Sequence, residues 1–288
     1  MAPVTRLVTL LGKPLRRRHS KVMHDAAFAA AGIDARYELR ELEADEVEAA
    51  VAAARTEEWL GLGVTAPYKR VVAGLCDITE SEADRIGAVN NVTKNAEGRL
   101  VGFNSDGAGF RAGVERAMER TLDGAAVVVA GAGGAAHAVV YTCLVAGARS
   151  VTIGNRTPAA ADTLATRFGG IGLGSTRGVV LGGAGFLDAL VEADLAVNAT
   201  TVGMVDPGET IDVSFLRDAA TVFDLVYVPA ETPLLAAARA RGLKAANGSE
   251  MLIAQAAIAF ERWTGIAAME DVMREAVAPL LADPTAAA

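Results

Sequence analysis

The stretch VVVAGAGGAAHAVVYTCLVAGA, residues 127–148, decides the fold that this sequence predicts. Its first four residues, Val127–Ala130, are apolar and form a buried strand, and a glycine turn then leads into an alanine-rich helix. The turn matches the pattern G-x-G-x-x-A at Gly131, Gly133 and Ala136. Between a strand and a helix, that pattern is the fingerprint of a dinucleotide-binding α/β domain. The sequence therefore predicts a Rossmann-like domain around this turn.

Backbone N–H groups give the glycine turn an affinity for phosphate. Gly131 permits the tight turn, Gly133 lets a pyrophosphate approach the backbone, and unpaired N–H groups at the helix start hold the phosphate oxygens. The alternative is a turn that only links strand to helix, but the flanking elements favour the binding site. The predicted cofactor contacts in this turn are Gly131, Ala132, Gly133, Gly134 and Ala135.

The end of the next strand discriminates between NAD and NADP. A strand that binds NAD usually ends in a carboxylate for the ribose hydroxyls, whereas the strand 150–154 is followed by Asn155, Arg156 and Thr157. Arg156 suits the 2′-phosphate of NADP, although a solvated surface arginine is the alternative. The sequence favours NADP as the cofactor, with NAD as the second choice.

Strand patterns alternate with helix patterns along the chain, which is typical of a mostly parallel α/β sheet. Outside the glycine turn, strands are predicted at 4–11, 37–42, 60–65, 150–154, 195–198 and 222–226, with two more between 86 and 106. Helices are predicted at 21–31, 44–54, 249–265 and 269–281, and also from Pro67 and after Pro158. The glycine-rich segment 169–185 lacks the context of a second phosphate loop and is predicted to be a connection around one short strand.

Composition and charge exclude several classes of protein. The 288 residues are 52% hydrophobic and 22% charged, as in a globular chain, and the net charge of −8 gives no general attraction to nucleic acid. No apolar run reaches the roughly 18 residues of a membrane helix, and the N-terminus lacks a signal-peptide core. We therefore expect a cytoplasmic protein, monomeric or homodimeric, that binds neither nucleic acid nor membrane. The two cysteines, Cys76 and Cys143, fit no metal site or redox pair, and no metal is predicted.

Several separated motifs occur along the chain in addition to the glycine turn. They are GVTAPYK at 63–69, GAVNN at 87–91, GFNSDG at 102–107, NRT at 155–157, NATTVGM at 198–204, DLVYVP at 224–229, ETPLL at 231–235 and MLIAQ at 251–255. Each one alone is weak evidence. Together, and in this order, they resemble the shikimate dehydrogenase family over nearly the whole chain.

The resemblance implies reduction of 3-dehydroshikimate to shikimate by NADPH, with Lys69 and Asp106 as the catalytic pair. Hydride transfer to a ketone carbon leaves negative charge on oxygen, so a positioned donor must protonate it, and in reverse the same group accepts the proton. A carboxylate orients such a lysine. Without the resemblance, Lys69 would equally be a solvated lysine and Asp106 a turn residue.

The resemblance also assigns binding residues. Short polar side chains suit a hydroxylated cyclic carboxylic acid, because a site built to bond a hydroxyl rejects analogues that lack it. Strand, turn or core packing roles are the alternatives for these side chains. The implied substrate contacts are Ser20, Arg18, Thr65, Asn90, Tyr227 and Gln255, and the further cofactor contacts are Thr200, Met204, Gly248 and Met251.

The first family motif is where this sequence departs most. The family pattern G-x-P-x-x-H-S-x-S-P-x-x-H-N reads GKPLRRRHSKVMHD at 12–25, with Arg18 for the first serine and Lys21 for the second proline. The usual Asn of N-V-T is Gly63. Arg18 could pair with a carboxylate, fill part of the pocket or point to solvent, and the cluster 16–21 is otherwise a solvated basic turn.

The sequence thus predicts two α/β domains with an active-site cleft between them. Residues 1–106, joined by 248–288, would form the substrate domain, and 107–247 the Rossmann-like nucleotide domain. The alternative substrates are quinate or an amino-substituted analogue, and Ala160, which replaces a second arginine of the cofactor motif N-R-T-x-x-R, weakens the discrimination against NAD. A non-catalytic sensor of NADP(H) is the rival from another class, and the retained catalytic pair argues against it.

Overall fold

The computed structural model describes residues 5–15, 17–204, 206–267 and 269–282, apart from the side chains of residues 117 and 118. The elements up to residue 103 are β1 (Arg6–Gly12), α1 (His19–Ala30), β2 (Ala35–Glu41), α2 (Val47–Ala53), β3 (Trp59–Val64), α3 (Lys69–Ala73), β4 (Ile78–Thr79), α4 (Ser81–Ile86), β5 (Asn91–Lys94) and β6 (Leu100–Phe103). They are followed by α5 (Asp106–Met118), β7 (Ala126–Ala130), α6 (Gly134–Val145), β8 (Ser150–Asn155), α7 (Pro158–Phe168), β9 (Ser175–Val180), α8 (Ala184–Val191), β10 (Leu195–Asn198), β11 (Thr221–Asp224), α9 (Pro233–Ala240) and β12 (Lys244–Asn247). The last helices are α10 (Ser249–Thr264) and α11 (Glu270–Ala282).

The chain divides into two compact units, each built around its own sheet. The first unit combines the described residues up to Ser105 with those from Ile253 onward, and the second unit runs from Asp106 to Leu252. Helix α10 therefore begins in the second unit and continues in the first. The predicted fold class, two α/β domains of which one is Rossmann-like, is confirmed.

The first unit contains a mixed sheet with the strand order β2-β1-β3-β5-β6-β4. Strands β1, β2 and β3 are parallel, and β5 is antiparallel to both β3 and β6. One apolar cluster, which includes Leu11, Leu62, Val64 and Val92, packs against this sheet. The register pairs Gly63 with Asn91, so the ends of two predicted motifs lie side by side.

The second unit contains a parallel sheet with the order β12-β11-β10-β7-β8-β9. The strand order reverses between β7 and β10, which are paired from Leu195 with Val127 to Asn198 with Ala130. In open α/β sheets, ligands bind outside the carboxyl ends of the strands at such a reversal. The glycine turn directly follows β7, and the motif 198–204 starts at Asn198, the last residue of β10. Both segments therefore lie at the reversal of the strand order.

Local sequence explains where several helices start. Pro158 and Pro233 each occupy the first turn of a helix, where the missing N–H has no cost. Thr232 caps α9, since its hydroxyl accepts a hydrogen bond from the Leu235 N–H at 3.3 Å. The segment 169–185 contains the single short strand β9, as predicted, and also the start of α8.

Several elements, most of them short, did not follow from the sequence patterns. They are β4, α4, α5, α8, α9 and β12. Asp106 begins α5 and does not lie in a turn. Within the described ranges, every helix is too short or too polar to span a lipid bilayer.

Candidate functional site

The glycine turn after β7 leaves an open surface at the start of α6. Gly131 has a φ of +111°, and a Cβ atom there would lie 3.0 Å from the carbonyl oxygen of Ala199, so glycine is needed for both reasons. Cβ atoms built at Gly133 and Gly134 would meet no described atom within 4 Å. Gly133 is the N-cap of α6 and offers the first N–H groups no capping side chain. These N–H groups are suited to bind an anionic ligand.

The turn after β8 presents an arginine to solvent beside the glycine turn. Strands β7 and β8 are parallel neighbours, so the turns that follow them share one edge of the sheet. The Asn155 amide donates to the carbonyl oxygen of Thr157 at 3.0 Å and fixes this turn. Arg156 and Thr157 are exposed, and Ala160 in the first turn of α7 carries no charge. Arg156 is thus placed for an anionic group that extends from the glycine turn.

A buried polar network holds the loops after β10 and β11 together. The Asn198 amide donates to Asp224 Oδ1 at 2.8 Å and to the carbonyl oxygen of Val202 at 3.1 Å. Its Oδ1 accepts hydrogen bonds from the Thr200 hydroxyl at 2.7 Å and from the Thr210 hydroxyl at 3.1 Å. The network therefore fixes the loop that carries the predicted cofactor residues Thr200 and Met204.

Asp224 is the buried carboxyl group of this network. Burial raises its pKa, while hydrogen bonds from Thr232, Val226 and Asn198 oppose that rise. The Thr232 hydroxyl donates to Oδ2 at 2.7 Å and the Val226 N–H donates to Oδ1 at 3.0 Å. The loop that follows β11 and carries Tyr227 is therefore also anchored at its start.

The other predicted residues of the second unit lie on loops or at helix starts. Gly248 is buried, and a Cβ atom there would collide with the carbonyl oxygen of Leu225, so glycine is required. Gly113 of α5 approaches Met251 so closely that its Cβ would lie 3.0 Å from the Met251 nitrogen. Tyr227, Met204, Ala132 and Ala135 are half-buried, and Met251 is buried.

In the first unit, the structure brings the predicted residues Asn90 and Gln255 together around Ser105. Asn90 Oδ1 accepts hydrogen bonds from the Ser105 N–H at 2.9 Å and from the Asn91 amide at 2.7 Å. The Asn90 amide donates to Ser105 Oγ at 3.2 Å, and its contact with Gln255 Oε1 is long, at 3.5 Å. Ser105 Oγ lies 3.4 Å from the same Gln255 oxygen. We refer to Asn90, Asn91, Ser105 and Gln255 as the amide cluster.

Thr65 lies on the short segment that links β3 to α3, and Lys69 is the first residue of α3. The Val89 N–H donates to the carbonyl oxygen of Lys69 at 3.0 Å, so the backbone of Lys69 is attached beside Asn90. The Thr65 N–H donates to the carbonyl oxygen of Leu11 at 2.8 Å. Both predicted side chains are half-buried. Asp106, the first residue of α5 and of the second unit, is buried.

The basic stretch before and within α1 has more structure than a solvated turn. Arg18 is exposed at the N-cap of α1, and Ser20 is half-buried. His19 is buried, and burial together with the charge of Arg17 lowers its pKa. The Lys21 amine is bound by the carboxylate of Asp25 at 2.7 Å. Of the predicted cluster, Arg16 lies outside the described residues.

The sequence motifs predicted only some members of the network around Asn198 and Asp224 and of the amide cluster. Ser105, Asn91, Thr210 and Thr232 were not predicted as site residues, although each bonds a motif side chain. The available signal was the clustering of Asn, Ser and Thr at the ends of apolar strands, where buried polar groups need partners. The two cysteines lie outside these polar networks. Cys143 is buried in α6, and burial raises the pKa of Cys76 to about 11.

Comparison with known proteins places this geometry in context. Residues 10–92 match the model of the shikimate dehydrogenase substrate binding domain, and residues 248–278 match that of the shikimate 5′-dehydrogenase C-terminal domain. The NADP(+) shikimate dehydrogenase of Moorella thermoacetica is 38% identical over 288 aligned residues, which cover 98% of this chain and 97% of that protein.

Two solved structures are similar over nearly the whole chain. Shikimate 5-dehydrogenase from Thermus thermophilus, in complex with NADP(H) and shikimate, has a TM-score of 0.83 and 34% identity, covering 95% of this chain and 99% of that one. Quinate dehydrogenase from Corynebacterium glutamicum, in complex with NAD, has a TM-score of 0.87 and 34% identity, covering 96% of this chain and 99% of that one.

Proposed function

The chain belongs to the shikimate dehydrogenase family, and from that premise we propose that it interconverts 3-dehydroshikimate and shikimate with NADP. The observation that carries the proposal is that Lys69 and Asp106 both stand within their family motifs. The chain departs from the family at the substrate side and keeps the proton-handling pair. A protein that only senses the cofactor would need neither residue.

The second unit has the features that NADP requires. The open surface at Gly133 and Gly134 suits the pyrophosphate, and exposed Arg156 suits the 2′-phosphate. Thr200 and Met204 lie on the loop that Asn198 fixes, at the reversal point of the sheet. The chemistry that the nicotinamide supplies when bound is hydride transfer to or from the ring carbon.

Lys69 handles the proton in this proposal. During reduction its ammonium group donates a proton to the oxygen as negative charge develops there, and during oxidation its amine accepts the hydroxyl proton. Asp106 orients the ammonium group and balances its charge. The anchored backbone of Lys69, bonded to Val89, limits the positions that its amine can reach.

The amide cluster and Thr65 bind the polar groups of the ring. The orientation of the Asn90 amide is set because its oxygen already accepts two hydrogen bonds, which leaves the NH2 group for acceptors. The contacts of Gln255 at 3.4 and 3.5 Å are long enough to give way to a substrate hydroxyl. Ser20 and Arg18 bind the substrate carboxylate in this proposal.

Quinate is the second candidate substrate, with NAD as its cofactor. The departures at Arg18 and Gly63 support it because they change the substrate side of the family pattern. The similarity to a quinate dehydrogenase in complex with NAD is as high as that to the shikimate enzyme. The loss of a second arginine at Ala160 also lowers the preference for a 2′-phosphate.

A steady-state panel tests the proposed function directly. The purified chain is incubated with shikimate, quinate or an amino-substituted analogue, each with NADP and with NAD, and nicotinamide reduction is followed by absorbance. We expect the largest kcat/KM for shikimate with NADP. Quinate with NAD as the best pair would support the second candidate, and reduction with none of the acids would refute the dehydrogenase activity.

Lys69→Ala tests the assigned proton donor. We expect kcat to fall by roughly 10²- to 10⁴-fold, the usual contribution of a general acid or base, with little change in the KM for either substrate. Arg70→Gln is the matched control, since Arg70 is the exposed neighbour in the same helix. An unchanged kcat for Lys69→Ala would remove the lysine from the mechanism.

A further inference from the structure

Tyr37 lies on the edge strand of the first unit and is held there through its backbone. Strand β2 is the terminal strand of its sheet, and β1 pairs with only one side of it. On the other side, the Tyr37 N–H donates to Asp25 Oδ1 at 2.8 Å, and the Lys21 amine donates to the Tyr37 carbonyl oxygen at 2.8 Å. Lys21 and Asp25 also pair with each other at 2.7 Å. One ion pair of α1 therefore binds both backbone groups of Tyr37.

Aromatic packing fixes the ring of Tyr37 as firmly as the ion pair fixes its backbone. The ring is stacked on His24, with centroids 4.6 Å apart and planes inclined by 12°. Trp263 of α10 is tilted against it at 6.3 Å. Only 2% of Tyr37 is exposed. The position of its hydroxyl group is therefore set by rigid neighbours on three sides.

The hydroxyl of Tyr37 occupies the space where a side chain at position 63 would begin. A Cβ atom built on Gly63 would lie 2.7 Å from the Tyr37 hydroxyl oxygen, and the next contact is Leu10 Cδ1 at 3.1 Å. Gly63 is an ordinary strand residue without a positive φ, so its backbone does not require glycine. The space above it requires glycine because the tyrosine fills it.

Gly63, against which this hydroxyl lies, is close in the sheet and in the chain to residues that the proposed function assigns to the substrate. Gly63 is paired with Asn91 of the amide cluster, and Thr65 follows two residues later. In the described part of the chain, the hydrogen bonds of Tyr37 outside the sheet ladder use its backbone, and the hydroxyl forms none. Burial and the nearby Asp25 raise the pKa of Tyr37, so the group is a neutral hydroxyl that can both donate and accept.

We propose that the Tyr37 hydroxyl binds a ring hydroxyl of the substrate above Gly63, which makes Tyr37 a specificity-determining residue. The inference rests on the proposed function and deepens it. Three departures from the family pattern act on this one residue. Lys21 and Asp25, which replace Pro and Asn, hold its backbone, and Gly63, which replaces Asn, makes room for its hydroxyl.

Tyr37→Phe removes the hydroxyl and keeps the stacked ring. We expect the KM for shikimate to rise roughly 3- to 10-fold, the effect of one neutral hydrogen bond, while kcat and the KM for NADP stay unchanged. The matched control is Tyr141→Phe, since Tyr141 is a buried tyrosine of α6 in the second unit. This variant should leave kcat, the KM for shikimate and the KM for NADP unchanged. A shikimate KM equal to that of the wild type would overturn the proposal.

Substrate analogues distinguish binding from a structural role. Shikimates that each lack one ring hydroxyl are compared in the wild type and in Tyr37→Phe. If Tyr37 binds one hydroxyl, the KM increase caused by the variant vanishes for the analogue that lacks this hydroxyl and persists for the others. A KM increase of the same size for shikimate and all analogues would assign Tyr37 a structural role and overturn the proposal.

The space above Gly63 gives a rescue experiment. In the Tyr37→Phe background, Gly63→Asn places a polar side chain where the hydroxyl was, and we expect the KM for shikimate to return toward the wild-type value. Gly63→Asn alone should raise that KM, because its Cβ meets the tyrosine oxygen. Inactivity of the wild type toward all acids would refute the proposed function itself, whereas an active wild type with an unaltered Tyr37→Phe refutes only the role of Tyr37.

Discussion

Arg156→Gln isolates the contribution of the 2′-phosphate to cofactor choice. The arginine is exposed on the turn after β8. The hydrogen bond from the Asn155 side-chain amide to the Thr157 carbonyl oxygen, at 3.0 Å, keeps this turn in place without the arginine. Glutamine preserves much of the length of the side chain and removes the charge. Because Ala160 supplies no second cation, the whole effect of charge in this motif should be visible in one variant.

The expected magnitude follows from the exposure of Arg156. A charge-assisted hydrogen bond contributes about 1.5 to 3 kcal/mol, whereas a solvent-exposed ion pair contributes about 1 kcal/mol or less. Arg156 is exposed, so a value near the lower end of the first range, about 1.5 kcal/mol, is appropriate. At about 1.4 kcal/mol for each factor of ten, the KM for NADP should rise on the order of tenfold.

Parallel titrations with NADP and NAD give the measurement. With shikimate in excess, we expect the KM for NADP to rise on the order of tenfold and the KM for NAD to stay within about twofold, since NAD has no 2′-phosphate. The difference should shrink at high ionic strength. Arg167→Gln, at the far end of the 11-residue helix α7 that follows this turn and about 15 Å away, controls for the loss of a positive charge. Equal changes for both cofactors, or no change for NADP, would refute the assignment of Arg156.

Two further predictions concern stability. Burial lowers the pKa of His24 to about 3, so between about pH 6.5 and pH 3 the unfolded chain binds a proton that the folded chain does not. As the pH is lowered through this range, the free energy of unfolding should decrease by up to about 1.4 kcal/mol per pH unit. His24→Phe should flatten this slope in urea titrations. An unchanged slope would show that His24 does not cause it. Asp194 accepts hydrogen bonds from Arg120 and Arg149 at 2.7 and 2.6 Å and also pairs with Arg217; Asp194→Asn should lower the free energy of unfolding by about 2 kcal/mol, because the partly exposed arginines are left with water as partner. A loss below about 0.5 kcal/mol in urea unfolding would contradict this.

Periodicity predicted the buried strands of both sheets but missed helices and an edge strand in each unit. Continuous apolar runs such as Val127–Ala130 and Leu195–Val197 lie in strands of a parallel sheet with both faces covered, and such strands need no alternation. The two-residue strand β4 and the six-residue helix α4 are too short to show a period. Their positions depend on tertiary packing, which a local window does not contain.

The candidate site was predictable where backbone geometry demands a residue type. Gly131 needs a positive φ and close approach to Ala199, and such demands leave a fixed pattern in the sequence. Ser105 shows the opposite case, since its bonds to Asn90 and Gln255 connect residues 15 and 150 positions away. No local pattern encodes partners at that distance, so the amide cluster emerged only from the fold.

The departures from the family pattern at Lys21 and Gly63 show that the role of a residue cannot be interpreted from its own position alone. Taken singly, Lys21 for proline is a basic surface residue and Gly63 for asparagine is a lost polar group. In the fold, Lys21 binds the carbonyl oxygen of Tyr37, and the hydroxyl of Tyr37 lies where the asparagine side chain would start. A side chain at position 63 alone would collide with the tyrosine, and loss of the hydroxyl of Tyr37 alone would leave a gap above Gly63, so these positions are constrained together. The substrate side of this enzyme should therefore be altered experimentally as a pair, Tyr37 with Gly63, and single substitutions there should show strongly non-additive effects on the KM for shikimate.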